Sequence, residues 1–194
     1  MDRKVRDTKL VERVLAIAEK DVELAFRVVS SLEDREARIM GYVYLYNFTR
    51  DEAFLDLAIS EAETDDDLLR IVEYSKFTKR LYPVAVRIGD QYKRDVAYSI
   101  LLERSGDLNF AAKIVDKRLQ ASSLKRVALK KPYPESLSLT RLISDPYYRT
   151  LALVEIAEKE KVNLGKEILE SCKLISNPYL RRKMEEKAKN INPE

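Results

Sequence analysis

Ile143-Ser-Asp-Pro-Tyr-Tyr-Arg149 is echoed 32 residues later by Ile175-Ser-Asn-Pro-Tyr-Leu-Arg181. Each copy has an Asp or Asn, then a proline, and an arginine four places after the polar residue. The same pairing recurs as Asp34…Arg38, Asp66…Arg70 and Asp90…Arg94, with Ser122…Arg126 as a weaker copy. Self-similarity at near-fixed spacing marks stacked repeats, so this signature decides the architecture ahead of local propensity.

The signature has a physical meaning at a helix start. Asp, Asn and Ser are favoured N-caps because their side-chain oxygens accept from the orphan N–H groups of the first turn. Pro146 and Pro178 then fall at the first helical position, where a missing N–H costs nothing. Aligned on residues 34, 66, 90, 122, 145 and 177, the steps are 32, 24, 32, 23 and 32. This alignment predicts a leading hairpin at 8–33 and units of 55–56 residues at 34–89, 90–144 and 145–194, in one helical-repeat domain spanning 1–194. Seven places after the caps stand Gly41, Glu73, Ala97, Leu129, Ala152 and Met184. The small ones among them predict close helix approach.

Between the caps the apolar residues follow a period of 3.6, as in Leu10, Val14, Ile17 and Ala18. Gly89-Asp90 and Gly106-Asp107 each close one helix and open the next. Tyr42-Val43-Tyr44-Leu45-Tyr46 has β-favouring content, but the repeat places it inside a helix. The expectation is an all-α fold: an α-α superhelix, a solenoid of about six helical hairpins and roughly thirteen helices, without a sheet.

Composition agrees. Of 194 residues, 45% are hydrophobic and 36% charged, with only four glycines and six prolines. That suits amphipathic helices with solvated outer faces and excludes a disordered chain. The net charge of +3 implies no global attraction to nucleic acid or anionic membranes. No apolar run reaches the roughly 20 residues of a membrane span. A lone Cys172 excludes an internal disulfide and predicts a reducing compartment. The stretch from Met1 to Asp7 lacks the apolar core of a signal peptide, so a cytoplasmic location is expected. The absence of His and the abundance of Lys, Arg and Glu predict a thermophilic source.

Residues 144–152, Ser-Asp-Pro-Tyr-Tyr-Arg-x-x-Ala, resemble the second-helix start of HEAT-like repeats. Ser105-Gly106-Asp107…Ala111 is similar to the turn of tetratricopeptide-type repeats. Either resemblance implies a right-handed α-α superhelix that serves as a binding surface.

Functional residues are harder to read. The cap and arginine ladder of Asp34, Arg38, Asp66, Arg70, Asp90, Arg94, Asp145, Arg149, Asn177 and Arg181 is expected to be structural. Pairs at i and i+4 support a helix, and packing keeps a repeat regular where a ligand site breaks it. Residues 51–67 hold eight acids and no base; residues 113–131 hold seven bases against Asp116. These segments predict a bipolar surface, with Lys113, Lys117, Arg118, Arg126, Lys130 and Lys131 as a candidate binding patch. Eleven tyrosines are expected mainly at buried repeat junctions.

Without His there is no Ser-His or Cys-His nucleophile and no Cys/His zinc site. The glycines form no phosphate-binding loop. An all-carboxylate Mg²⁺ site is the remaining enzymatic alternative. No catalytic residue, cofactor or metal is assigned, and Cys172 is expected to be a buried structural thiol. The expected function is a non-enzymatic scaffold or adaptor that binds another protein. The alternatives are nucleic-acid binding through 113–131, or self-assembly of acidic on basic ends.

Overall fold

A computed structural model of the chain describes residues 3–191. Among them are thirteen α-helices and no strand. The long helices are α1 (Arg3–Ala18), α3 (Arg35–Thr49), α5 (Asp65–Tyr74), α7 (Gln91–Ser105), α9 (Lys117–Lys130), α11 (Pro146–Glu160) and α13 (Pro178–Ile191). Shorter ones follow each but the last: α2 (Val22–Ser30), α4 (Glu52–Glu61), α6 (Leu81–Arg87), α8 (Asn109–Lys113), α10 (Glu135–Thr140) and α12 (Gly165–Lys173). The all-α expectation and the helix count hold. The tyrosine-rich stretch 42–46 lies inside α3.

The chain divides into two compact units, Met1–Ile100 and Leu101–Glu194, with the division inside α7. Each unit follows the same rule. Long helices pack side by side, α1 on α3 and α3 on α5 in the first, α9 on α11 and α11 on α13 in the second. Four short helices lie against their own long helix and the next one: α2 on α1 and α3, α4 on α3 and α5, α10 on α9 and α11, α12 on α11 and α13; α6 packs on α5, and α8 on α9.

Four expected caps stand where the sequence places them. Asp34, Asp90, Asp145 and Asn177 each accept from first-turn N–H groups. Two do not. Thr64, not Asp66, caps α5: its hydroxyl accepts from the Asp67 N–H while the Asp67 carboxylate accepts from the Thr64 N–H, a reciprocal capping box. Asp66 sits in the first turn, where an acid suits the helix dipole. Ser122 lies within α9, whose cap is Asp116. The true starts at 34, 64, 90, 116, 145 and 177 are 30, 26, 26, 29 and 32 residues apart. The steps from 34 to 90 and from 90 to 145 remain 56 and 55 residues, but they are not built from alternating 32- and 23–24-residue steps.

The corrected alignment explains the core. Seven places after the true caps stand Gly41, Ile71, Ala97, Ser123, Ala152 and Met184, every one buried. Eleven places after stand Leu45, Ser75, Leu101, Val127, Ile156 and Ala188, again all buried. These positions share a helix face by the 3.6 period. Each fully buried Leu or Ile among them contributes about 1.5–3 kcal/mol. In the second unit Ile156, Leu164, Ile168, Cys172, Ile175 and Met184 form one continuous cluster across α11, α12 and α13.

Candidate binding surface

The ladder arginines lie at the helix starts, and four of them perform one task. Arg38 Nη1 donates to the Leu32 carbonyl at 2.7 Å, and Arg94 Nη1 to that of Ile88 at 2.9 Å. Arg149 Nε donates to the Ile143 carbonyl at 2.9 Å. Arg181 donates to the Ile175 carbonyl from Nε and Nη2, at 2.9 and 2.7 Å. The acceptor is always six residues back, in the linker from the preceding short helix. Its own side chain is apolar, and in Ile88, Ile143 and Ile175 it is buried. The guanidinium thus satisfies a part-buried linker carbonyl, whose loss of a donor costs about 1–3 kcal/mol.

Arg70 and Arg126 do not join this set. Arg70 Nη1 reaches Glu36 Oε2 at 2.8 Å, tying α5 to α3. Arg126 bonds Ser122 within α9 and Glu103 on α7. In the Asp116 copy Gln120 stands at the arginine's place, and its Nε2 donates to the Ala111 carbonyl at 2.7 Å, nine residues back within α8. The signal for Gln120 is present in the sequence: Ile114-Val-Asp116 followed by Gln four places on, matching Ile143-Ser-Asp145 and Arg149.

The acidic segment is not a free patch. Asp51 caps α4, and Glu52 and Asp56 hold Arg80. Glu61 pairs with Arg38, Glu63 and Asp67 with Arg35, and Asp66 with Lys93. Asp65 accepts from the Gly89 and Asp90 N–H groups at 2.9 and 2.7 Å, which hold its carboxyl below the usual carboxylate range. All eight acids tie one element of the first unit to another or cap a helix.

Most of the basic segment is engaged in the same way. Lys125 pairs with Glu155 on α11, and Arg126 with Glu103. Lys130 Nζ donates to the Glu103 carbonyl, Lys131 pairs with Glu135, and Lys113 lies over the Phe110 ring. Lys117 and Arg118, in the first turn of α9, are exposed. At 100° per residue, Lys117 is half a turn round the helix from Arg126, so the six candidate bases do not share a face.

Tyrosines divide into three groups. Tyr42, Tyr46 and Tyr98 are buried, Tyr44, Tyr82, Tyr147 and Tyr148 are partly buried, and Tyr74, Tyr92, Tyr133 and Tyr179 are exposed. Tyr92 and Tyr179 occupy the same place in their repeats, two after the cap, and are 66% and 74% exposed.

The second unit has a cleft of about 260 Å³ between α10, α11 and α12. Its apolar side is Leu137, Leu153 and Leu174; its charged lining is Arg141, Arg149, Glu167 and Glu170. Leu142 and Leu174 each stand three places before a cap, in successive hairpins, and are 53% and 59% exposed. Of this cleft only Arg149 was marked by the repeat signature, because the pocket arises from three separate helices meeting.

Cys172 is fully buried, and burial, aided by the Glu185 carboxylate, pushes its thiol above its ordinary value. Among the described residues no three acidic, Cys or His side chains converge as a metal set. None of the described helices is long and apolar enough to cross a membrane. Comparison with protein-family models, with curated proteins and with solved structures gives no match.

Proposed function

We propose that this chain is a non-enzymatic helical-repeat adaptor that binds another protein, with the contact surface in its second unit. The observation that carries the reading is the pair Leu142 and Leu174. Both are more than half exposed, and both occupy the same place in successive hairpins. Packing does not need them, since the preceding short helices already bury Ser136, Thr140, Ile168 and Cys172. Leu174 lines the charged cleft and Leu142 follows Arg141, which also lines it; apolar anchors within a polar rim have the composition of an interface.

The missing histidine supports the non-enzymatic reading, because the commonest acid-base group is unavailable. Likeness to HEAT-like and tetratricopeptide-like repeats supports a binding role. Engagement of Lys125, Arg126, Lys130 and Lys131 in protein contacts favours a protein partner over nucleic acid.

Affinity purification from lysate of the source cells tests the reading. The tagged chain is expected to retain a specific protein that Leu142→Glu/Leu174→Glu loses, with direct binding reproduced from purified components. Equal retention by the double variant, or none by either, overturns it. Filter retention of single- or double-stranded nucleic acid at low salt would move the reading to the basic segment.

A further inference from the structure

We propose that the cleft between α10, α11 and α12 is a pocket for a short partner segment in which an acidic and a basic residue flank an aliphatic one. This rests on the protein-binding reading above and gives it a chemistry.

Of the four arginines that hold a linker carbonyl, Arg38 pairs with an acid, whereas Arg94, Arg149 and Arg181 bond only neutral acceptors. Arg38 and Arg149 hold the same place in their hairpins, four after the cap. Arg38 has three partners: Nε meets Glu61 on the following short helix, and Nη1 meets the carbonyls of Leu32 and Glu33. Arg149 uses only Nε, on the Ile143 carbonyl. The following short helix, α12, offers Glu167 and Glu170 across the same cleft, yet no ion pair among the described residues joins them to Arg149 or Arg141. Two cations and two anions line one small space without neutralising each other.

That arrangement selects its ligand. A carboxylate suits the guanidinium fork of Arg149 or Arg141, where two parallel N–H groups can meet two oxygens. An ammonium or guanidinium suits Glu167 and Glu170, three apart on one face of α12. Leu137, Leu153 and Leu174 supply the apolar floor between them. A phosphate chain would meet the two glutamates, and a purely cationic ligand would meet the two arginines. The hydroxyls lining the cleft are already engaged: Thr140 donates to the Leu137 carbonyl, and Ser171 accepts from Thr150. Recognition therefore falls to the charges and the leucines. At about 260 Å³ the space lies below the roughly 300–1,000 Å³ of small-molecule sites, and fits one or two side chains better than a nucleotide.

The experiment is a titration of the full-length ¹⁵N-labelled chain with end-blocked heptapeptides. The probes are Gly-Gly-Lys-Leu-Glu-Gly-Gly, its reverse order Gly-Gly-Glu-Leu-Lys-Gly-Gly, the uncharged Gly-Gly-Gln-Leu-Gln-Gly-Gly, and free leucine. One charged order is expected to shift the amides of Arg141, Glu167, Glu170 and Leu174 saturably, with the uncharged peptide about tenfold weaker. Arg141→Gln and Glu170→Gln, at exposed positions, are each expected to weaken binding about tenfold at unchanged melting temperature. No saturable shift with either charged peptide up to about 10 mM overturns the proposal. Equal binding of the uncharged peptide also overturns it, and saturation by free leucine reassigns the cleft to a small zwitterion. A partner captured equally by wild type and by Arg141→Gln/Glu170→Gln removes the cleft but leaves the adaptor reading. Failure of the Leu142/Leu174 experiment removes that reading whatever the peptides do.

Discussion

Arg181 grips the main-chain carbonyl of Ile175 with two nitrogens, Nε at 2.9 Å and Nη2 at 2.7 Å. The grip crosses the linker between α12 and α13, two residues before the cap Asn177. It couples the end of one hairpin to the start of the next, and Arg38, Arg94 and Arg149 repeat it. Arg181→Met leaves the carbonyl without its donor and is expected to lower stability by about 1.5–3 kcal/mol. Arg181→Lys should recover less than half, because a single ammonium lacks the planar fork. Urea unfolding of the three proteins measures this; a loss below about 0.5 kcal/mol for the methionine variant would show the latch to be ornamental.

Thr64 and Asp66 separate two accounts of where α5 begins. The Thr64 hydroxyl satisfies the Asp67 N–H, and Asp67 answers through the Thr64 and Glu63 N–H groups. Thr64→Ala is expected to cost about 1 kcal/mol as a lost cap. Asp66 makes only an outer pair with Lys93, so Asp66→Ala should change stability by about 0.5 kcal/mol or less. Parallel thermal and denaturant unfolding checks the order; the reverse order would restore Asp66 as the cap.

Why the repeat was readable, and where it misled, follows from these same residues. A cap with an apolar residue two before and an arginine four after is a local device, so Asp34, Asp90, Asp145 and Asn177 announce themselves. At α5 the local signal is ambiguous: Asp65-Asp66-Asp67 offers three candidate acids, and the winner is the threonine before them. At α9, Ser122 and Arg126 are merely one turn apart inside the helix. Charge segments misled for another reason. Residues 51–67 and 113–131 are uniform along the chain, but their partners Arg35, Arg38, Arg80, Glu103 and Glu155 come from other helices. Tertiary pairing of this kind leaves no trace in a linear window. The cleft is hidden for the same cause, since α10, α11 and α12 each supply part of it.

Acid should act first on the ties of the first unit. Burial raises the Asp67 carboxyl, but the Thr64 hydroxyl, the Thr64 and Glu63 N–H groups and Arg35 outweigh it, and the net shift is downward. Asp65 is lowered by the Gly89 and Asp90 N–H groups, and Glu52 by Arg80 and Thr78. Groups lowered in the folded chain bind protons more readily when it unfolds. Their contribution is therefore complete above the unfolded values, about 4, and drains away as pH falls through the lower folded values. Urea midpoints are expected to be level from pH 7 to about 5 and to fall steeply below about 4. Asp65→Asn should flatten part of that fall while lowering stability at neutral pH. An unchanged pH profile in this variant would show that the Asp65 contacts contribute nothing.

Gly41 tests how closely α2 and α3 approach. A methyl placed there would sit 2.6 Å from Val29 Cγ1 and 2.7 Å from Cγ2, and Val29 is fully buried on α2. Alanine is the better helix former by about 1 kcal/mol, so propensity alone makes Gly41→Ala stabilising. Crowding opposes it, because overfilling a close-packed core costs about 1–3 kcal/mol. The clash is with a branched side chain held by its own helix, so crowding should win and Gly41→Ala should destabilise. Val29→Ala removes both clashing methyl groups and leaves a cavity that the new methyl can occupy. The double variant should therefore be more stable than the sum of the single losses, by about 1 kcal/mol or more in a double-mutant cycle. Strict additivity would mean that the two helices can part to admit a methyl group, and that the glycine is not what sets their distance.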